Sequence, residues 1–240
     1  MKKIIQLVVC GAFLIVSAAN AQVKINGNGK VVSQTRTTSG YDAIKISGFF
    51  DVALVAGKEG KITIKGEENI LSSIIIEVAD NALKIHAKKG TNLRPGIGQK
   101  VEITIPFEKI SELSLSGSGD IISKSPIKND KFSAKLSGSG DIDLDVVTNS
   151  FDFNLSGSGD IKLKGNSDTL VIKLSGSGDI EAANLKSKNA NITVSGSGDV
   201  NVNCNESLTA RVSGSGDIKY IGNPEKRDVK VSGSGSISKV

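Results

Sequence analysis

The most regularly spaced carboxylates in this 240-residue chain belong to a repeated string, Ser-Gly-Ser-Gly-Asp. It occurs at Ser116–Asp120, Ser137–Asp141, Ser156–Asp160, Ser175–Asp179, Ser195–Asp199 and Ser213–Asp217; a seventh copy, Ser232–Ser236, ends in Ser. The starting serines are 21, 19, 19, 20, 18 and 19 residues apart. A period that constant predicts that Asp120, Asp141, Asp160, Asp179, Asp199 and Asp217 stand one above the next. Stacked carboxylates support two chemistries. They could gather calcium, a hard cation that favours carboxylate oxygens. They could instead cap turns by accepting backbone N–H bonds, with solvent screening a repulsion of roughly 1 kcal/mol per neighbouring pair. The Gly-rich calcium-binding β-roll has a shorter period and a GGxGxD order that is absent here.

The remaining reactive residues are sparse. His86 is the sole histidine. It lies in an alternating segment, Ala82–Ala87, and reads as a half-exposed strand residue. Nucleophilic catalysis needs a base held beside a Ser or Cys, and no local sequence supplies that arrangement. Zinc needs more His and Cys than this chain has. Of its two cysteines, Cys10 falls in a leader, so Cys204 cannot pair within the mature chain and reads as a small core or turn residue. The Gly-Ser-Gly pattern lacks the following Lys and helix of a phosphate loop. Glycan hydrolysis requires paired acids in a groove, and sugar grooves are usually lined with aromatics; here Trp is absent and Tyr is limited to Tyr41 and Tyr220. These residues predict no catalytic site and no cofactor. The one metal alternative is the calcium ladder on the six Asp.

The elements that position the ladder follow from its flanks. Leu115, Leu136, Leu155, Leu174, Val194, Val212 and Val231 precede the motifs; Ile121, Ile142, Ile161, Ile180, Val200, Ile218 and Ile237 follow them. Two residues before the first set come Leu113, Ala134, Phe153, Ile172, Ile192, Ala210 and Val229, with Ser114, Lys135, Asn154, Lys173, Thr193, Arg211 and Lys230 between. Alternation with period two means strands buried on one face. Phe153 joins the core column, and Phe151 is assigned to the opposite face. One pair of short strands cannot bury its apolar side, but stacked coils can. The expectation is an all-β chain: a right-handed parallel β-helix with coils of about 20 residues, Ser hydroxyls forming a ladder up the stack, and variable turns on one edge. Ile44–Val52 repeats the frame with two Phe in place of the inner Ser and Gly. Lys61–Lys65, Ile74–Val78, Ala82–Ala87 and Lys100–Ile105 are further strand candidates. Residues 41–240 read as one solenoid domain, irregular and capping over 41–115 and repetitive over 116–240, with 22–40 a flexible leader or edge strand.

Residues 1–21 read as a signal peptide. Lys2 and Lys3 precede an apolar run from Ile4 to Val16, and Ala19-Asn20-Ala21 is a cleavage signal. Removing it takes the formal net charge from +5 to +3. The charges are scattered and Arg are few, which argues against nucleic-acid binding. No later segment is apolar enough to be a transmembrane helix.

The leader, the opening Tyr41-Asp42-Ala43-Ile44-Lys45-Ile46-Ser47-Gly48 with Phe50-Asp51-Val52, and the chain of Leu-Ser-Gly-Ser-Gly-Asp-Ile repeats together resemble the head GIN domain family, described as autotransporter adhesins. The likeness covers roughly residues 41–238. It implies a β-helical domain in Gram-negative envelope or secreted proteins and brings no catalytic residues. This chain shows no recognisable translocator barrel. The expected function is a non-enzymatic, exported cell-envelope or surface module that binds glycan or protein through a repetitive face. The alternatives are a structural periplasmic or outer-membrane-associated protein, which could be a homo-oligomer, and a calcium-dependent binder.

Overall fold

The structure, a computed structural model, describes residues 22–240; the expected leader and its cleavage site lie outside them. Strands β1 (Val23–Asn26) and β2 (Val31–Thr37) come first, and β3 (Ala43–Gly48) and β4 (Asp51–Ala56) carry the Phe-containing frame. Then come β5 (Lys61–Glu67), the one-turn helix α1 (Glu68–Leu71), β6 (Ile74–Ala79), β7 (Ala82–Ala87), β8 (Thr91–Arg94) and β9 (Glu102–Phe107). The repeats occupy β10 (Glu112–Gly117), β11 (Ile121–Ser123), β12 (Ile127–Gly138), β13 (Ile142–Gly157), β14 (Ile161–Gly176), β15 (Ile180–Gly196), β16 (Val200–Gly214), β17 (Ile218–Ile221), β18 (Lys226–Gly233) and β19 (Ile237–Lys239).

The repeats stack as a parallel β-solenoid. Each coil lies in register on the one before: Ile142 on Ile161, Leu144 on Leu163, Phe153 on Ile172 and Leu155 on Leu174. All of these are at most 2% exposed, so the alternation becomes continuous inner columns. Burial stabilises by about 1.5–3 kcal/mol for each Val, Leu, Ile or Phe, which offsets the entropy lost in ordering so many glycines. Phe151 departs from expectation. Residues two apart on a strand share a face, so Phe151 points inward with Phe153; their rings meet edge-on at 6.1 Å, and Phe132 stacks on Phe151 at 5.4 Å. The unequal repeat lengths are taken up partly by irregularities within the strands, at Lys162/Lys164 and between Ala182 and Asn189.

Over residues 41–115 the stacking continues out of chain order. β10 lies on β3, with Ile44 beside Leu113 and Gly48 beside Gly117, and β11 lies on β4. On their other side β3 and β4 pair with β7 and β9. The chain therefore lays one frame, builds a coil outside it, then crosses back to begin the repeats. Antiparallel pairs finish this end: β2 with β5, β5 with β9, and β6 with β7. The β6–β7 hairpin turns on Asp80 and Asn81, both at positive φ (54° and 59°), as a two-residue type I′ turn requires. α1 closes the end with Ile70 and Leu71, which have no exposed surface. The Arg36 guanidinium donates to the carbonyls of Leu71 and Ile74 and to Gln34. Glu67, 1% exposed, accepts backbone N–H bonds from Gly29 at 2.6 Å and Gly96 at 2.7 Å. It thereby ties the loops that follow β1 and β8, which form a separate parallel pair, to the end of β5.

Candidate functional site: the repeat corner and the outward columns

The SGSGD corner is made by close approach of successive backbones. The first glycine of each motif sits at positive φ, +135° at Gly117 and +142° at Gly157, where L side chains are strained. Both motif glycines also lack room. A Cβ on Gly138 would lie 2.0 Å from the Gly117 carbonyl oxygen, and one on Gly140 would lie 1.9 Å from that of Gly119. The third residue of the motif, Ser, bonds coil to coil through its backbone: Ser139 N–H donates to Gly117 O at 3.0 Å and Ser158 N–H to Gly138 O at 2.9 Å. The expected hydroxyl ladder is replaced by this backbone ladder, because side chains at the third position point into solvent; Ser118, Ser139, Ser158, Ser177, Ser197 and Ser215 are all exposed.

The Asp side chains do stand in a column, and a reciprocal bond joins neighbouring coils. The carboxylate of Asp120 accepts the N–H of Asp141 at 3.1 Å, Asp141 that of Asp160 at 2.9 Å, Asp179 that of Asp199 at 2.8 Å, and Asp199 that of Asp217 at 2.8 Å. In the other direction, the backbone carbonyl of each upper Asp accepts from the Ile or Val after the motif below, as in Ile121 N–H to Asp141 O at 2.8 Å. The carboxylates thus accept backbone N–H bonds, as expected of turn caps, and the N–H belongs to the next coil. Ser236 ends the column, donating to Asp217 through both its N–H at 2.7 Å and its hydroxyl at 2.9 Å. Among the described residues no group of three or more His, Cys, Asp or Glu converges as a metal site would.

The opposite corner holds a second ladder that no constant spacing marks in the sequence. Thr148, Ser167, Ser187 and Cys204 lie in register, nearly buried, and each satisfies backbone carbonyls. Thr148 donates to Asp130 O and Ser150 O at 3.0 Å, Ser167 to Thr169 O at 2.8 Å, and Ser187 to Asn203 O at 2.7 Å. Cys204 Sγ lies 3.0 Å from Ser207 O. The lone thiol therefore fills a hydroxyl position, and burial pushes its pKa up, away from reactivity. His86 is half-exposed; its Nδ1 lies 2.9 Å from Ala87 O and its Nε2 3.8 Å from Glu77, so it faces its own hairpin and not the Asp column.

The outward columns differ from both corners. In strict register along one sheet face stand Lys45, Ser114, Lys135, Asn154, Lys173, Thr193, Arg211 and Lys230. From Lys45 to Arg211 a cation occupies every second coil, about 9.6 Å apart at the usual ~4.8 Å strand spacing. Lys45 pairs with Glu112 at 3.1 Å, and Arg211 pairs with Asp228. Among the described residues Lys135 and Lys173 have no acidic partner. Beside them runs a shallow groove of about 470 Å³ lined by Asn154, Ser156, Ser175 and Thr193 together with Leu155 and Leu174. Among the described residues no helix is long and apolar enough to cross a membrane.

Solved structures share this architecture. A crystal structure of a "putative adhesin" from Bacteroides fragilis superposes with a TM-score of 0.83 at 26% identity, covering 90% of this chain and 100% of that one. A "putative lipid binding protein" from Parabacteroides distasonis gives 0.75 at 28% identity over 90% and 99%. A "putative adhesin" from Parabacteroides merdae gives 0.67 at 24% identity over 91% and 99%, and shows the fold alone. No curated protein matches the chain. A family model described as "Putative auto-transporter adhesin, head GIN domain" matches residues 40–224, and the chain belongs to that family.

Proposed function

We propose that this protein is an exported, non-enzymatic envelope or surface module that binds an extended acidic glycan along the column from Lys135 to Arg211. The observation that carries the reading is the pair of unpartnered cations, Lys135 and Lys173, two coils apart along a groove whose lining mixes Asn, Ser and Thr with Leu155 and Leu174. Such a surface offers repeated weak contacts to a linear polymer, and repetition raises avidity without a deep pocket. Ammonium groups supply charge, while hydroxyls and amides meet sugar hydroxyls. The adhesin names of the family and of the Bacteroides fragilis relative support the binding role.

The test is retention of the purified protein on immobilised alginate, an acidic polysaccharide, as salt is raised. The wild-type protein should be retained, and the Lys135→Glu/Lys173→Glu variant should elute at markedly lower salt with unchanged thermal melting. Equal retention of the two proteins would remove this face from the binding reading. On intact cells, protease release of peptides from residues 116–240, with a periplasmic control intact, is the expected result; protection until the outer membrane is broken would favour the structural periplasmic alternative.

A further inference from the structure

Asn-Gly occurs twice in the sequence, at Asn26-Gly27 and Asn28-Gly29. Such a pair can react with itself. The glycine's backbone nitrogen attacks the Asn side-chain carbonyl, and glycine, with no Cβ, obstructs the approach least. The reaction is helped by a base for the backbone proton and by a donor on the oxygen that gains charge. The fold supplies both at Asn28-Gly29 and offers no base at Asn26-Gly27.

The Gly29 N–H donates to Glu67 Oε1 at 2.6 Å, and Glu67 is almost wholly buried. An amide proton lies in the peptide plane, whereas the nitrogen attacks through density perpendicular to that plane, so the bond to Glu67 leaves the attacking face open. Nothing lies within 4 Å of where a Cβ on Gly29 would stand. Asn28 Oδ1 accepts the Lys30 N–H at 3.0 Å, which polarises the carbonyl under attack. Asn28 is exposed, so ammonia can leave and water can enter. The neighbouring pair is the internal control. Asn26 is held in β1 in register with Arg94, and the Gly27 N–H donates at 2.8 Å to the Arg94 carbonyl, a far weaker base than a carboxylate.

We infer that Asn28 is a self-modification site, converted through a cyclic imide with Glu67 as the general base. Gly29 N bonds to Asn28 Cγ while its proton passes to Glu67. Glu67 returns that proton to Nδ2, the Cγ–Nδ2 bond breaks, and ammonia leaves. Water then opens the imide at either carbonyl and gives aspartate or isoaspartate at position 28, with no change of oxidation state and with Glu67 regenerated. Either product places a new carboxylate beside the loop that Glu67 ties, and like charges repel. Isoaspartate also lengthens the backbone by one carbon, which draws the Gly29 N–H off Glu67. Conversion therefore loosens the tie between the β1–β8 pair and the end of β5 and leaves the repeats untouched.

The test is incubation of the full chain, native and unfolded in guanidinium chloride, followed by trypsin and mass spectrometry. Cleavage after Lys24 and Lys30 puts both Asn in one peptide, Ile25–Lys30. Its fragments separate position 26 from 28, and an isoaspartyl methyltransferase reports the isomer. In the native chain Asn28 should convert roughly a hundredfold faster than in the unfolded chain, the low end of what a positioned base supplies, and Asn26 should lag far behind. Unfolded, the two should convert at similar rates. Glu67→Gln keeps the side chain's size and its acceptor oxygen but not the base, so Asn28 should fall to the unfolded rate or below. Where that variant does not fold, the wild-type pH dependence decides: the native rate should rise less steeply with pH than the unfolded rate, which draws on hydroxide. The inference is overturned if Asn28 is no faster native than unfolded, if Asn26 keeps pace with it, if folded Glu67→Gln converts as fast as wild type, or if the two pH slopes coincide.

Discussion

Replacing Gly157 by Ala tests whether backbone contact between coils holds the stack together. The new methyl would lie 1.9 Å from the Gly138 carbonyl oxygen, where real contacts stay above 3.0 Å. The two coils would have to part by roughly 1 Å against a spacing of ~4.8 Å. At that separation two bonds fail, Ser158 N–H to Gly138 O (2.9 Å) and Asp160 N–H to the Asp141 carboxylate (2.9 Å), at about 1 kcal/mol each. The positive φ, +142°, adds about 1–2 kcal/mol for any L side chain. The expected loss is therefore about 3–4 kcal/mol. Gly90→Ala is the matched control. It has φ +79° with nothing within 4 Å of its Cβ, so it should cost only the strain, about 1 kcal/mol. Urea unfolding followed by circular dichroism reads both, and hydrogen exchange at the corner amides reports whether the coils separate locally, as repeat proteins can. If the two variants lie within about 1 kcal/mol of each other, close coil contact is not what the motif glycines serve.

Three further outcomes follow from the corners and the core. Cys204→Ser should be near neutral, because the column already holds Ser167 and Ser187, whereas Cys204→Leu should cost about 1–3 kcal/mol by overpacking; a thiol reagent should label Cys204 only after denaturation. Stability should fall on the alkaline side. Burial, reinforced by Glu59, raises the Tyr41 phenol well above its ordinary value, and burial raises Cys204. Both groups favour the neutral form when folded, so their contribution is intact below the unfolded values, about 8.5 for Cys and about 10 for Tyr, and is lost as pH climbs above them. A Tyr41→Phe/Cys204→Ser protein should show a flatter decline in urea midpoint from pH 8 to 11, and an unchanged slope would refute the assignment. Asp141→Ala should cost about 1–2 kcal/mol, since it leaves the Asp160 N–H without its acceptor, while melts in calcium and in chelator should superimpose. A calcium-dependent rise in Tm that vanishes in Asp141→Ala/Asp160→Ala would return the ladder to metal binding.

The solenoid was legible because its inner columns repeat at every coil: one Leu or Val before each motif and one Ile or Val after it fix both strand faces and register. Three features were not legible, each for a physical reason. The order β7–β9, β3–β4, β10–β11 depends on which edge a frame offers to the next coil, and the Phe49-Phe50 frame looks alike from either side. The Thr148–Cys204 ladder mixes three residue types at turns of unequal length, so no fixed spacing marks it; only register brings them together. That the Asp carboxylates accept backbone N–H bonds was expected, but which N–H was not: the close coil spacing sets that of the Asp one coil on within reach.

The two charged columns show why the fold and its candidate binding face can be argued separately. Stacked like charges repel by roughly 1 kcal/mol per neighbouring pair even in water. In the Asp column the repulsion is met inside the protein at most steps, because the carboxylates of Asp120, Asp141, Asp179 and Asp199 accept an N–H from the next coil; those four groups are committed to holding coils together. In the Lys column no such partner exists for Lys135 or Lys173, and the repulsion is reduced by distance instead, with Asn154 and Thr193 in the intervening coils. The repeat itself demands neither residue there, since Ser, Asn and Thr fill the same outward position without disturbing the columns beneath. The two cations left without an acidic partner, Lys135 and Lys173, are therefore a property of the surface rather than of the fold. It follows that Lys135→Ser/Lys173→Ser should retain the full melting temperature while losing whatever anionic polymer the face retains, and the Asp column should behave in the opposite way.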